Sequence, residues 1–575
     1  MQRLLKIFLL LVIAVPVSLK AQIALSQVFA VRPFLPNSAI LPVNKSSITF
    51  TQIMFDHPQV LKADRYLISV FEVSGKDTVL FRQVSDSTTA TYIDGFSFGK
   101  TYSWSYVAYG RKKKIVFKSP TYTFSISPLP FSVKRRINVV VNDLGNMGGL
   151  ISFDYAEIIT NRKGEIVWFL PRAPKNEWIY DDQVRDLRLT SAGTCLFLTE
   201  RNAFEISIDG RIFWAGHDHT NLKKNDIENF HHAIDRLPNG NIMVCGNHTE
   251  LLQCDGDTTH YMALFGVIGE YNKAGTLLWK WDSYNYFDKR DVFFKRDQDG
   301  RPDVSTHLNA FEISPDQKFI YAGFRDMNRI VKIDRATGVV IESYGDLMPS
   351  GQASTGNDFF WKQHDVTLLR NGNLAVFNND SMADPAKTSS VVVFSQTTAT
   401  ERGSEILWTL NCKIDSLSDG RSEKGGSIDE LENGNYLINF GSSHRCIEIT
   451  PTKKIVWSVV EESQDTSGKW TPFRQYRSHY SSSLYPCYFS LQLISNKSSQ
   501  VSFVINNEGT ESDQYQIEFR QNKGTWIKSS SSPVVSPNGK TMVQLLRTSA
   551  NQFVDIRVTS TANVEFNRII EVPLK

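Results

Sequence analysis

The chain has 575 residues, 41% hydrophobic and 12% aromatic, with a formal charge of +3. That length exceeds one ordinary domain and fits roughly two to four. Arg3, Lys6 and Lys20 supply +3 within residues 1–21, where there is no acid, so the remainder is neutral (3 − 3 = 0) and carries no electrostatic footprint for nucleic acid.

The chain opens MQRLLKIFLLLVIAVPVSLKAQ. A basic start, a short apolar run and a small-residue exit at Ala21 predict a secretory signal peptide over 1–21, with an uncleaved anchor as the alternative. The expectation is export to the periplasm or beyond, with no membrane span after its removal. Residues 22–130 contain YLISVFEV, TVLFRQV, TATYIDG and TYSWSYVAYG, which alternate apolar and polar positions between turn signals. They predict an N-terminal β-sandwich of fibronectin III type. SPLPFSV, near 127–133, is a linker.

From 135 to 482 the sequence repeats loosely. One phrase is a turn and a strand ending in tryptophan: KGEIVW (Trp168), DGRIFW (Trp214), AGTLLW (Trp279), SEILW (Trp408) and KKIVW (Trp457), with TGVVIESYG as a degenerate copy. A second is a strand, a tight turn and a strand: LRLTSAGTCLFLTE, IDRLPNGNIMVCG, FEISPDQKFIYAG, VTLLRNGNLAVFN and IDELENGNYLINF. Such a unit cannot bury both faces alone, so the repeats predict propeller blades. Six tryptophan phrases give six; two or three stacked sandwiches are the alternative. Residues 485–575 read as a small C-terminal β-sandwich. The expected fold is therefore all-β: a six-bladed β-propeller between two β-sandwiches. Six cysteines include no CxxC pair; Cys245 and Cys254, flanking a short segment, are the best candidates for a disulfide.

Aligning the hairpins on their turns brings out the polar residues. His364 precedes Asn371 by seven residues, and His232 precedes Asn239 by seven. Asn309 precedes Asp316 by seven, with His307 two residues earlier and so on the same strand face. Equivalent blade positions converge on a central channel, so His232, His307, Asn309 and His364 are expected to meet there. Strand alternation turns His231 away, although one bulge would exchange it with His232. His217-Asp218-His219 suits either a metal or a polar loop. The chain contains no G-x-S-x-G, P-loop or H-E-x-x-H.

Phe230-His231-His232, His307-Leu308-Asn309, Arg325 eighteen residues after His307, and Gln363-His364-Asp365 after FFW form a spaced set that resembles the bacterial arylsulfate sulfotransferases. The resemblance covers the signal peptide, the N-terminal β region and the propeller. There are departures: Ala233 stands where the family commonly has Asp after the paired histidines, the segment after 485 has no place in the family core, and Ser427 matches a late-propeller hydroxyl only loosely.

The resemblance implies transfer of a sulfuryl group from an aryl sulfate donor to a phenolic acceptor, with no nucleotide, cofactor or metal. His364 would attack sulfur and become sulfohistidine, neutral imidazole being a competent nucleophile. Arg325 would clamp the sulfuryl oxygens, with Asn309, His231 or His232, and Ser427 as further contacts. His307 would move the proton. FFW at 359–361 either lines an aryl site or packs inside. Two alternatives stand beside this: a non-catalytic propeller binding a glycan or protein on its channel face, and a family member that has lost activity. Docking, anchoring and homodimerisation are open roles for the terminal sandwiches.

Overall fold

The computed structural model describes residues 40–572 apart from 131–133, 146, 172–182, 200–201, 217–225, 255, 257, 295–303, 353, 356–357, 381–385, 398–402, 522–523 and 548–554. The expected signal peptide and His217-Asp218-His219 lie outside the described residues. The protein is all-β, built from small antiparallel sheets with only short helical turns. Among the described residues no helix is long and apolar enough to cross a membrane.

The middle of the chain forms successive four-stranded units. The first joins Ile166–Phe169, Ile158–Asn161 and Leu150–Phe153 to a strand from far downstream, Ser478–Ser481. The second to fifth start at Arg185–Leu189, Phe230–Arg236, Leu308–Ile313 and His364–Leu368, and each runs through four strands in chain order. The sixth starts at Ser427–Glu430 and is widened by Trp470–Pro472 and Arg135–Asn142, both paired to Ile455–Gln464. The leading strands of sheets 2–6 and Ser478–Ser481 lie beside one another in that order and close on themselves.

The tryptophan phrases explain how the sheets hold together. Their strands are the fourth of each unit, and the indoles reach across to the next sheet. Trp168 Nε1 donates to the Ile208 carbonyl at 2.7 Å, and Trp279 Nε1 to that of Arg335 at 3.0 Å. Trp457 Nε1 donates to Arg162 at 2.8 Å, joining sheet 6 to sheet 1. Each bond satisfies a donor that burial of a large ring would otherwise orphan.

Before the ring, Ser46–Ile48, Arg65–Ser74, Asp77–Asp86, Thr101–Gly110, Lys114–Lys118 and Tyr122–Ile126 form one sheet, with Ile53–Asp56 paired to Ala90–Ile93 beside it. Its core, around Trp104 and Phe55, is continuous with Trp168 and Phe204 of sheets 1 and 2. After the ring, a three-stranded and a five-stranded sheet enclose Phe489, Phe503, Tyr515 and Ile556. Arg568 and Tyr488 of this last part meet Asp56 of the first.

One expectation is corrected. Cys245 and Cys254 are both free. Residues 242–253 form a single strand rather than a loop, so at about 3.3 Å per residue the two sulfurs are held far apart.

Candidate active site

Four consecutive sheets carry an irregularity at the head of their leading strands. The register shifts between Arg185 and Arg188, Phe230 and Ile234, Leu308 and Ala310, and His364 and Thr367. Beside these shifts Asp186, His232, His307 and Asp365 have φ of 53°, 64°, 50° and 58°. Left-handed backbone at non-glycine residues costs about 1–3 kcal/mol and re-aims side chains, a pattern concentrated at functional sites. Here it turns rings that simple alternation would send between sheets toward one another.

The rings of His232 and His307 stand 5.0 Å apart. Tyr476, leading into the strand that closes the ring, has its ring centre 5.6 Å from that of His364 and 5.9 Å from that of His232, both in edge-to-face arrangement. The bulge that leaves open which of His231 and His232 faces inward brings both in: His232 Nδ1 and His231 Nδ1 share a hydrogen bond of 2.7 Å, and His231 Nε2 meets Asn247 Oδ1 at 2.7 Å.

His364 is 1% exposed, and its Nδ1 lies 2.8 Å from Asn379 Oδ1. Asn379 Nδ2 donates to the carbonyls of Ser422 and Gly425 at 3.0 and 3.1 Å, which fixes its oxygen toward the histidine. Nδ1 of His364 must then carry the proton, and Nε2 holds a lone pair. Burial, reinforced by Arg325, His307 and Arg477, pushes His364 down to about 3. Burial, helped by neighbouring His307 and Arg185, takes His231 to about 4, and His232 well below its ordinary value. His364, His231 and His232 are therefore neutral imidazoles at ordinary pH.

Arg325 follows the strand Phe319–Phe324, and its backbone N–H donates to the His307 carbonyl at 3.0 Å, so one hairpin carries both. Its guanidinium grips Asp326 at 2.9 and 3.2 Å. Lys362 Nζ reaches the same carboxylate at 2.7 Å, and His307 Nδ1 at 3.2 Å. Asn309 is fully buried and donates to the Gln363 carbonyl at 2.8 Å, holding the residue before His364. Ser427 donates to the Ser478 carbonyl at 2.9 Å and accepts from its N–H at 3.2 Å; neither bond reaches a histidine. Of the FFW segment, Phe360 is core and Phe359 packs on Phe394, while Trp361 is 37% exposed. Ala233 packs in the core between sheets 3 and 4.

Sequence reasoning passed over several members. Arg185 stands seven residues before Ala192, the offset that picks out His232 and His364, and its guanidinium lies 5.7 Å from the Tyr476 ring. Tyr476 has no tight turn after it, and Asn247, Asp326 and Asn379 sit on second strands or turns that the alignment does not index.

Neutral imidazoles with directed lone pairs, beside arginine and lysine in a largely buried all-β setting, define a site suited to handling an anionic group. The sequence model of the arylsulfotransferase (ASST) family matches residues 133–515, well over half of the chain, and the protein belongs to that family of sulfuryl-transferring enzymes. No curated protein matches it. Among solved structures, Kuenenia stuttgartiensis hydrazine synthase is 12% identical, covering 60% of this chain and 97% of its own at a TM-score of 0.32. Kluyveromyces lactis Hsv2 is 12% identical, covering 66% of this chain and 95% of its own, at a TM-score of 0.22.

Proposed function

We propose that the chain moves a sulfuryl group from an aryl sulfate ester to a phenolic acceptor in two half-reactions, with His364 as the carrier. The observation that carries this reading is the Asn379 lock, which leaves the His364 Nε2 lone pair unprotonated and directed. In the first half-reaction Nε2 attacks sulfur and the aryl oxygen departs; in the second the acceptor oxygen attacks the sulfohistidine. Arg325 supplies the planar fork for the sulfuryl oxygens, which requires it to exchange part of its contact with Asp326 for the substrate. His231 and His232 complete the surroundings of sulfur, and His307 moves the proton. Asn309 sets the Gln363–His364 backbone. Ser427, bonded to Ser478, secures the strand next to Tyr476.

The same reading takes residues 135–482 as a six-bladed propeller between β-sandwiches over 22–130 and 485–575, in a protein exported by residues 1–21. The closed order of leading strands and the Trp457–Arg162 bond support six blades.

Incubation with 4-nitrophenyl sulfate, with and without phenol, tests the reading. Nitrophenolate release that depends on phenol supports transfer; equal release into water alone makes the enzyme a sulfatase; no release with any phenol removes the assignment.

A further inference from the structure

Asp326 sits in the turn after Phe319–Phe324 and is 2% exposed. Its Oδ1 takes Arg325 Nε at 2.9 Å and Lys362 Nζ at 2.7 Å. Its Oδ2 takes Arg325 Nη2 at 3.2 Å and His307 Nδ1 at 3.2 Å. Two full cations and an imidazole thus share one carboxylate, which is more than a charge pair needs. At the far side of the same imidazole, His307 Nε2 is buried, has no hydrogen-bond partner among the described residues, and belongs to the ring facing His232. A carboxylate on one imidazole nitrogen and an unoccupied second nitrogen turned into a site is the geometry of an acid–base arm. Burial and the charges of Arg325 and Lys362 lower the His307 pKa, whereas Asp326 raises it.

We propose that Asp326 is a positioning residue for the transfer: it fixes the His307 tautomer so that Nε2 faces the aryl oxygen, and it sustains the imidazolium that protonates that oxygen as it leaves. This deepens the function proposed above and rests on it. In the first half-reaction the His364 Nε2 lone pair forms the N–S bond. The S–O bond breaks, its electrons stay on the aryl oxygen, and that oxygen takes the proton from His307 Nε2. In the second, the acceptor phenol returns a proton to His307 Nε2 as its oxygen bonds to sulfur. The N–S pair goes back to His364, and the proton count closes over the cycle.

The inference has a signature that a merely structural Asp326 lacks. Nitrophenoxide leaves with little help, whereas unsubstituted phenoxide needs a proton. Single-turnover transfer to the enzyme should be measured for 4-nitrophenyl sulfate and phenyl sulfate with the full chain and Asp326→Asn. The expected loss is about 100-fold for phenyl sulfate and less than about 10-fold for 4-nitrophenyl sulfate, the range of general-acid contributions. Introducing Asp326→Asn into a His307→Gln background should add no further selectivity. Equal losses on the two donors overturn the proposal. If Asp326→Asn does not fold, Asp326→Glu keeps the charge for Arg325 and Lys362 but displaces it; it should show the same bias in smaller measure, and an unbiased loss overturns the idea as firmly. His364→Asn, run in parallel, separates this failure from that of the underlying reading. Turnover persisting there removes the nucleophile assignment, while the donor bias still reports on Asp326.

Discussion

The leading strands of the ring have two unlike ends. At their heads lie His232, His307, His364 and Arg325. On the same leading strands, Asp235 lies three residues past His232, Glu312 five past His307 and Asp365 directly after His364, and with Asp429 and Arg188 of the neighbouring leading strands they line a cavity of about 510 Å³. Burial removes charge at both ends, although the neighbouring His479 holds Asp429 below its ordinary value against that burial. Burial pushes the imidazoles down, and it pushes Glu312, Asp235 and Asp365 up. What separates the ends is the charge that lines them. The cavity is lined by Asp235, Glu312, Asp365 and Asp429, while its Arg188 and His479 are drawn back to the buried Asp186, and His479 is raised to about 9 despite its burial, by Asp429 and Asp186. At the histidine end, one carboxylate, Asp326, faces Arg325 and Lys362 together. Neutral nucleophiles beside Arg325 and Lys362 suit an anion, whereas a cavity lined by Asp235, Glu312, Asp365 and Asp429 does not.

The sharpest break of this contrast is His364→Asn. An amide hydrogen-bonds but does not attack sulfur, so turnover should vanish while the fold persists. Mass spectrometry after donor alone should find one added sulfuryl group on the His364 peptide of the parent and none on the variant. Turnover near the parent rate would move the nucleophile elsewhere, with His307 next in line.

Arg325→Lys should cost about 2–4 kcal/mol of transition-state binding, typical of losing one preorganised donor, because lysine is a point charge without the fork. The value of kcat/KM with 4-nitrophenyl sulfate measures it. An unchanged rate with normal melting would reduce Arg325 to a structural partner of Asp326. Asn379→Leu should cost less, about 10- to 100-fold, by freeing the tautomer of His364, as loss of a residue that orients a ligand or base does. A loss confined to thermal stability would sink the lock argument.

The repeat grammar made much of this legible. Tryptophan phrases mark fourth strands, and the indoles of Trp168, Trp279 and Trp457 find their acceptors at the next sheet; seven-residue offsets mark the strand heads. The offset failed where the local backbone leaves β geometry. His231 was expected to point away unless a bulge exchanged it with His232; the left-handed His232 brings the two rings together, and no propensity of histidine announces such a bulge. Tyr476 and His479 were hidden for another reason. They sit at the strand that closes the ring, whose companions lie more than three hundred residues upstream, so no local hairpin frames them. The Cys245–Cys254 expectation failed because a turn-like composition lies inside a continuous strand.

The smallest effect tests the two ends against each other through pH. His364 has a folded pKa below its unfolded value of about 6.5. The unfolded chain therefore binds more protons as pH falls below about 6.5, and this end loses stability toward acid, through about 3. Glu312 is the reverse: burial, then Asp235 and Asp365, raise it well above its ordinary value. The folded chain keeps a proton that the unfolded chain releases above about 4.3, so this end loses stability as pH rises. Glu312→Gln retains the neutral shape and removes the titration. Its melting temperature relative to the parent should therefore climb from pH 5 to pH 8, whereas that of His364→Asn should climb from pH 7 to pH 4. The two difference curves must slope in opposite directions. Parallel slopes would mean that the carboxyl at the cavity end is ionised in the folded protein, and that the ends do not divide the charge as argued.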